Sequence, residues 1–305
     1  MPAPLEISDH DDPHMRRLVL VTCRELPVAD ADQAIIDQGL DDLGERHRVR
    51  WVAWDASAVW KHFGLAWIRT PWDYAQRHGE FLAWLDAVED QVTVVNPVPV
   101  LRWNSHKSYL LDLEHAGVAI VPTVMLDRTM PEDLEGVLEL QGWGEGVVKP
   151  AVSVGAIGAS RVSVGAAANV VALAEAARDG DVLVQPYMAG VADGEVSIVL
   201  IEGRVSHAVR KVPATGDFRV HTEYGGSVIA HEPTPAELAL AEAAVAAVPT
   251  DETLLYARVD CVTDDDGQPR LMELELIEPA LFLPYAPAGH VERLLRVVIA
   301  RLDAD

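Results

Sequence analysis

Two kinds of sheet are predicted in this chain: a parallel one in an α/β N-terminal domain, then antiparallel ones in an α+β region. Up to Asn96, short apolar runs alternate with stretches of helical period. Beyond Asn104 the apolar runs follow one another across tight turns, as hairpin strands do. The last such run, "RLMELELIEPALFL" (270–283), carries Glu273, Glu275 and Glu278 in a setting otherwise rich in leucine. Stripping a carboxylate of water costs several kcal/mol unless something compensates it, so this segment needs a partner from elsewhere.

In chain order, "LVLVTC" (18–23) reads as a buried strand, "DADQAIIDQGLDDLGER" (30–46) as a helix, and "VRWVAWD" and "LAWIRT" as strands. "EFLAWLDAVE" (80–89) then reads as a helix and "VTVVNP" (92–97) as another strand. Such alternation implies a Rossmann-like parallel sheet covered on both faces. No G-x-G-x-x-G follows the first strand, so a dinucleotide fingerprint is not supported there. "NSHKSYLLDLEHAG" (104–117) is expected as one helix, started by Asn104 or Ser105 and stopped by Gly117. "GVVKP" is a strand, "AVSVGAIGAS" (151–160) a small-residue loop, and "RVSV" alternates again. "DVLVQPYM" and "EVSIVLIEGRVSHAVRKV" supply three strands, the last two joined at Glu202-Gly203. "TPAELALAEAAVAAV" opens with a capping box, Thr234 with Glu237, and Pro235 at the first helical position. The implied organisation is a leader (1–14), with Met15 as an alternative start, an N-terminal domain (15–103), a small subdomain (104–182) and a C-terminal subdomain (183–305).

At 305 residues, half of them hydrophobic, the chain can bury more than one core. A formal charge of −24 argues against sequence-independent nucleic-acid binding and against anionic membrane surfaces. Cys23 and Cys261 are too few and too far apart for a disulfide framework or a cysteine zinc site. A reducing cytoplasm is the expected compartment, and neither a signal-peptide pattern nor an apolar run of membrane-spanning length is present.

The final hairpin carries the most specific geometry. If Asp266-Gly267 is a two-residue turn, Asp260 in "LLYARVDCV" lies across from Glu273, and Arg258 across from Glu275. Glu273 and Glu275 share that face, while Met272, Leu274 and Leu276 point the other way. Three convergent carboxylates suit a hard divalent ion, Mg²⁺ or Mn²⁺, that completes its shell with water and phosphate. The plainer alternative is a solvated strand face on which Arg258 pairs with Glu275.

Upstream residues favour a polyanionic ligand. Lys149 ends a strand and precedes a loop in which Gly155 and Gly158 permit close backbone approach. This is not a Walker A motif, because no Lys-Ser/Thr follows the glycines and a strand comes next. "LVQPYM" leads into "AGVADGE", a hinge whose backbone suits an adenine and whose Glu195 suits a ribose. "HAVRKVPATGDFRVHTEYGG" gathers Arg210, Lys211, Arg219 and His221 in a chain poor in cations.

In this order, from Asn96 to Leu283, these residues resemble the ATP-grasp superfamily, on the side of the glutathione-synthetase-like carboxylate-amine ligases. The resemblance implies ATP and Mg²⁺ as cofactors, with Lys107 and Lys149 on the phosphates and Ser153 to Ser160 as a flap containing Gly155 and Gly158. It implies an adenine pocket from Gln185 through Tyr187 to Met188, and Glu195 on the ribose. Asp260, Glu273 and Glu275 would hold two Mg²⁺ ions, and Arg210 and Arg219 would stabilise the transferring phosphoryl group or the acyl-phosphate. Lys211, Gly225 and Gly226 would meet an amino-acid-like substrate. Two positions depart from the pattern: Glu275 stands where Asn is common, and Ser197 where Arg is common. "IRTPWDY" (68–74), "NP" and "RWNSHKSYLLDL" are similar to a subgroup that includes the ring-closing ligase of D-cycloserine biosynthesis. There Arg69 would meet a substrate carboxylate, with Trp72 and Asp73 shaping or pairing an amino group. Alternatively, Trp72 is core and Arg69 its salt-bridge partner.

The expected activity is ATP-dependent activation of a carboxylate as an acyl-phosphate, followed by attack of an amine. Intramolecular ring closure is the alternative within the same chemistry. A nucleotide-binding module without catalysis and a metal-binding protein without nucleotide are the alternatives outside it. A small molecule is the expected partner, with a homodimer as the candidate assembly.

Overall fold

The computed structural model describes residues 16–127, 134–220 and 222–304. The expected leader, Met15 and His221 lie outside the described residues. Three sheets make up the chain, the first parallel and the other two antiparallel.

The first sheet uses β1 (Leu18–Thr22), β2 (Val49–Ala53), β3 (Leu65–Thr70) and β4 (Thr93–Val95) in the order β2-β1-β3-β4. Its connections include α1 (Ala31–Asp42) and α2 (His78–Glu89). Alternate residues of β1 serve opposite faces, Leu18 and Leu20 on one and Val19 and Val21 on the other. Next come α3 (Val98–Asn104) and α4 (Tyr109–His115), where a single helix is expected. The helix breaks because Asn104 and Ser105 turn their side chains to other partners. Asn104 bonds the backbone of the final hairpin, and the Ser105 hydroxyl donates to the Arg102 carbonyl. Lys107 therefore sits in the turn between two helices, its backbone N–H donating to the Ala151 carbonyl at 2.8 Å.

The second sheet, β5-β8-β6-β7, is built from β5 (Val124–Leu126), β6 (Glu145–Pro150), β7 (Ser160–Ser163) and β8 (Val182–Pro186). Its apolar face is covered by α5 (Leu134–Gln141) and α6 (Asn169–Ala176). The third sheet takes β9 (Glu195–Ile201), β10 (Arg204–Val212), β11 (Ser227–His231), β12 (Tyr256–Thr263) and β13 (Pro269–Glu275) in the order β11-β10-β9-β12-β13. Glu202 and Gly203 both have positive φ, as a tight primed turn between β9 and β10 requires. Leucines of α4 and alanines of α7 (Pro235–Ala246) cover one face of this sheet, and the capping box at Thr234 and Glu237 is present. The last helix, α8 (His290–Ala304), returns to the first sheet and packs Leu294, Leu295, Val298 and Leu302 against Leu18, Leu20 and Leu40. A Cβ on Gly39 of α1 would lie 2.4 Å from the end of the Leu295 side chain, so a larger residue there would have to push that methyl aside.

The β12–β13 register agrees with expectation near the acids, by a different route. Arg258 pairs with Glu275 and Asp260 with Glu273, but the connection is longer than the Asp266-Gly267 turn, closing with Asp264 N–H on the Gln268 carbonyl. A bulge between Asp260 and Cys261 restores the offset by inserting one residue, Met272, on β13. Because of it Met272 does not join Leu274 and Leu276 on the far face; it packs with Met188 and Val191 on the near side. The strand also stops at Glu275, so Glu278 lies in the irregular segment beyond it.

The outer edge of β13 has no further strand. Leu271 pairs instead with the backbone of Ala119 and Val121. Asn104 donates to the Leu274 carbonyl at 2.8 Å and accepts from Leu276 N–H at 2.9 Å, and Asn96 donates to the Leu276 carbonyl at 2.9 Å. These side chains satisfy an edge that would otherwise be left unpaired inside the protein. Replacing Asn104 with Ala strands two buried backbone groups at about 1–3 kcal/mol each. We therefore expect Asn104→Ala to lose about 2–5 kcal/mol in urea unfolding, whereas an exposed asparagine replaced on the surface would change almost nothing.

Candidate active site

The uncovered face of the third sheet and the inner face of the second enclose a cleft of about 100 Å³. Lys149 and Gln185 project from β6 and β8, and Gly155, Ala156 and Ala159 come from the loop between β6 and β7. Tyr187 and Met188 follow β8. Glu195, Lys211, Asp260, Glu273 and Glu275 form the floor, and Phe218, Arg219 and Val220 the rim. Gly158 holds a left-handed conformation with φ +77, and a Cβ there would meet Pro150 at 2.8 Å. The loop thus folds back tightly over the end of β6.

The floor acids are compensated one by one. Asp260, 1% exposed, accepts from the Arg258 guanidinium at 2.9 and 3.0 Å and from the Lys211 ammonium at 3.1 Å. Burial opposes its charge, yet Arg258 and then Lys211 hold its carboxyl well below the usual range. Lys211 also pairs with Glu195, its cross-strand partner, while Arg258 reaches Glu275 and Lys107 reaches Glu273. Burial works against Glu273, but Lys107 and then Lys149 keep it below its ordinary value. Glu275 is pushed up to about 7, chiefly by burial, with Glu273 and Asp260 adding to it against Arg258. Glu278 is pushed up to about 8, by burial and then by Glu275.

Lys149 differs from the other cations. Its ammonium has no hydrogen bond or ion pair among the described residues, and burial lowers its pKa. Arg258 is 5% exposed, so its pairing with Glu275 belongs to a buried network and not to a solvated strand face. The sequence signal for it is a lone arginine inside the apolar run "LLYARVDCV". Alternation on β12 places it beside Asp260.

Several expected site residues stand elsewhere. Arg210 faces away from the cleft, because adjacent residues of a strand alternate and Lys211 takes the inner side. The guanidinium of Arg210 lies against the Asp193 carbonyl at 3.4 Å and the Glu237 carboxylate at 3.9 Å, a poor position for a transferring phosphoryl group. Arg219 reaches the rim but is held by Asp217 and stacks over Tyr224. Lys107 is buried beneath the loop with Glu273 and the Ser153 carbonyl, while the Ser153 hydroxyl donates to Pro150. Gly225 and Gly226 do not line the cleft. Arg69 is buried at the end of β3, donating to the Pro279 carbonyl at 3.3 Å beside Asp32, and Asp73 is taken by the Trp54 indole and Arg77. Arg69 is thus not a salt-bridge partner of Trp72, which is half-buried. Gln185 donates to the Thr123 hydroxyl at 2.9 Å, and the Tyr187 ring lies under the Arg161 guanidinium. Sequence reading missed Met272, which the bulge brings into the cleft wall.

Among the described residues no three acidic, histidine or cysteine side chains stand together as a ready-made metal site. The donor chemistry nevertheless suits a hard divalent ion, since Asp260, Glu273 and Glu275 present oxygens to one cleft. Lys107 and Arg258 now occupy the positions for which an ion would compete.

Comparison with known proteins places this geometry. Residues 120–282 match the family model of the prokaryotic glutathione synthetase ATP-grasp domain, and residues 18–96 match that of the N-terminal domain of D-cycloserine synthetase DcsG. The chain is 30% identical over 282 residues to the cycloserine biosynthesis protein DcsG of Streptomyces lavendulae, covering 86% of this chain and 93% of that protein. The chain belongs to the ATP-grasp ligases. The crystal structure of D-cycloserine synthetase DcsG superposes with a TM-score of 0.83 at 27% identity, covering 93% of this chain and 99% of that one. The D-alanine–D-alanine ligase of Bacillus anthracis shares the fold with a TM-score of 0.66 at 16% identity, covering 94% and 97%. This ATP-grasp ligase is accordingly an enzyme of the carbon–nitrogen bond-forming class, with a parallel N-terminal sheet and antiparallel sheets around the ATP-grasp cleft. No helix among the described residues is long and apolar enough to cross a membrane.

The two neighbours on β10 should separate cleanly on substitution. Arg210→Ala removes a partly exposed, distant ion pair, and about 1 kcal/mol or less should be lost in urea unfolding. Lys211→Ala leaves Asp260 and Glu195 short of a buried cation and should cost about 3–5 kcal/mol. Equal effects of the two would contradict the facing assigned to them.

Proposed function

We propose that this ATP-grasp ligase uses ATP to convert a substrate carboxylate into an acyl-phosphate, which an amine-type nucleophile then attacks. The observation that carries this reading is Lys149, a desolvated cation without a partner among the described residues, in a cleft where other cations are already paired. A polyphosphate supplies the missing negative charge. The backbone of the loop around Gly155 is suited to cover it, and Gln185 to Met188 are suited to receive the base. Glu195 is expected near the ribose, although Lys211 engages it in this structure.

A carboxylate is a poor electrophile because its leaving group would be oxide. Its oxygen attacks the γ-phosphorus, the bond to ADP breaks, and the new leaving group is phosphate. Lys149 spreads the charge of the transferring group, and Lys211 and Arg219 at the cleft wall serve the same end. Asp260, Glu273 and Glu275 would hold Mg²⁺ or Mn²⁺, which when bound neutralises phosphate oxygens. Closure of the 153–160 loop keeps water from the activated carbonyl. The substrate is amino-acid-like, and ring closure within one molecule is the second reading. It is supported by the similarity to D-cycloserine synthetase along nearly the whole chain. Both readings share the activation step.

Screening amino acids, including ureido and hydroxamate-type ones, for ATP-dependent phosphate release should find a substrate. Mass spectrometry then separates a dehydrated ring from a joined pair. Lys149→Ala should reduce ADP formation on the order of 10²-fold or more while its unfolding transition stays close to the parent's. Full turnover by that variant would remove the basis for the assignment.

A further inference from the structure

Two polar groups beside the cleft have no partner. Glu278 is 8% exposed and makes no hydrogen bond or ion pair among the described residues, and the hydroxyl of Tyr74, 5% exposed, is likewise unbonded. Neither is among the polar atoms sealed from solvent without a partner, so each keeps slight contact with solvent. They lie together, since Glu278 is the foremost charge acting on the Tyr74 hydroxyl after burial itself. Glu275, Lys107 and Glu273 act on the Glu278 charge in turn.

The surroundings place this pair at a junction. Tyr74 follows the C-terminal end of β3, the end at which parallel sheets collect ligands. It shares an apolar cluster with Ile277, and Val152 and Val154 at the base of the Gly/Ser loop pack against that cluster. Tyr74 and Glu278 therefore stand at the junction between the end of β3 and the Glu275 end of the carboxylate hairpin. Lys107, Lys211 and Arg258 already have carboxylate partners. A buried acid left over from that pairing is costly unless a ligand brings the donor.

We propose that Glu278 receives the amine-type nucleophile of the substrate, with Tyr74 orienting it, so that this junction is the acceptor subsite. The inference rests on the ligase reading above. As nitrogen bonds to the carbonyl carbon, the carbon–oxygen bond to phosphate breaks. Phosphate departs with that electron pair, and one N–H proton passes to the Glu278 carboxylate.

The test uses the full chain with Glu278→Gln and Tyr74→Phe, the amino acid that supports phosphate release in the screen, ATP and Mg²⁺. Hydroxylamine serves as a probe nucleophile that traps activated carboxylate as a hydroxamate. Glu278→Gln should still form ADP and hydroxamate near the parent rate, while the native carbon–nitrogen product falls on the order of 10²-fold or more. Tyr74→Phe should raise KM for the amino acid and leave KM for ATP unchanged. A parental ratio of product to ADP in Glu278→Gln overturns the proposal. So does a parallel loss of hydroxamate and product, or a change confined to Mg²⁺ dependence, which would group Glu278 with the metal-facing acids. Should Glu278→Gln not fold, Tyr74→Phe with an unchanged KM and product ratio overturns it alone. Absence of phosphate release by the parent with every amino acid tried counts instead against the ligase reading itself.

Discussion

Asp260 keeps its charge in the middle of a sheet because Arg258, two residues earlier on the same strand, and Lys211, reaching across from β10, both bond it. The rest of the cleft floor follows from that compensation. Arg258 extends to Glu275 and Lys211 to Glu195, so one buried network links four strands of the third sheet, β9, β10, β12 and β13. An isolated carboxylate at this depth would take up a proton or unfold its surroundings. Paired, it leaves a polar floor on a sheet whose other face is packed with leucine and alanine from α4 and α7. Ser197 stands opposite Asp260 on β9. Ser197 carries no charge, so the side chains of Arg258 and Lys211 supply it from neighbouring positions.

The network works only if β13 is held still, and here the polar side chains of the N-terminal half matter. Asn96, fully buried, donates to the Tyr256 and Leu276 carbonyls and accepts from Leu255 N–H. Asn104 and Tyr109 complete the same edge, and the Tyr256 hydroxyl donates to the Ile277 carbonyl at 2.7 Å. Two sheets of different type are thereby joined by directional bonds as well as by apolar contact. Directional bonds fix the approach of Lys107 and of the 276–282 segment in a way that nondirectional packing alone does not. Asp32 adds to this by accepting from Leu283 N–H at 2.8 Å, which ties that segment to the start of α1.

Much of the architecture was legible because it rests on local signals. The strands "LVLVT" and "LAWIRT", the Glu202-Gly203 turn and the Thr234 capping box each depend on a few neighbouring residues. The β12–β13 pairing was legible only in part. Its register at Asp260 and Glu273 agrees, but a longer loop and a bulge produce it jointly, and the extra residue turned Met272 toward the cleft. The expected 104–117 helix fails for a related reason, since Asn104 is drawn to a strand edge 170 residues away. Long-range demand of that kind overrides local helix propensity.

By itself, the sequence determined most of the strands, though not β5 or β11, that Asp260, Glu273 and Glu275 share a sheet face, and that cations stand close by in number. Those properties follow from the two-residue period of a strand and from turn chemistry, both local. Only the tertiary structure decided which cations are consumed by those acids and which is free. Lys107 and Lys211 are paired, Arg210 faces outward, Arg69 is buried at the end of β3 against Asp32, and among the described residues Lys149 alone of the cleft-wall lysines is unpaired. An ion pair depends on distance and shared burial between strands far apart in the chain, and neither quantity is carried by composition or spacing.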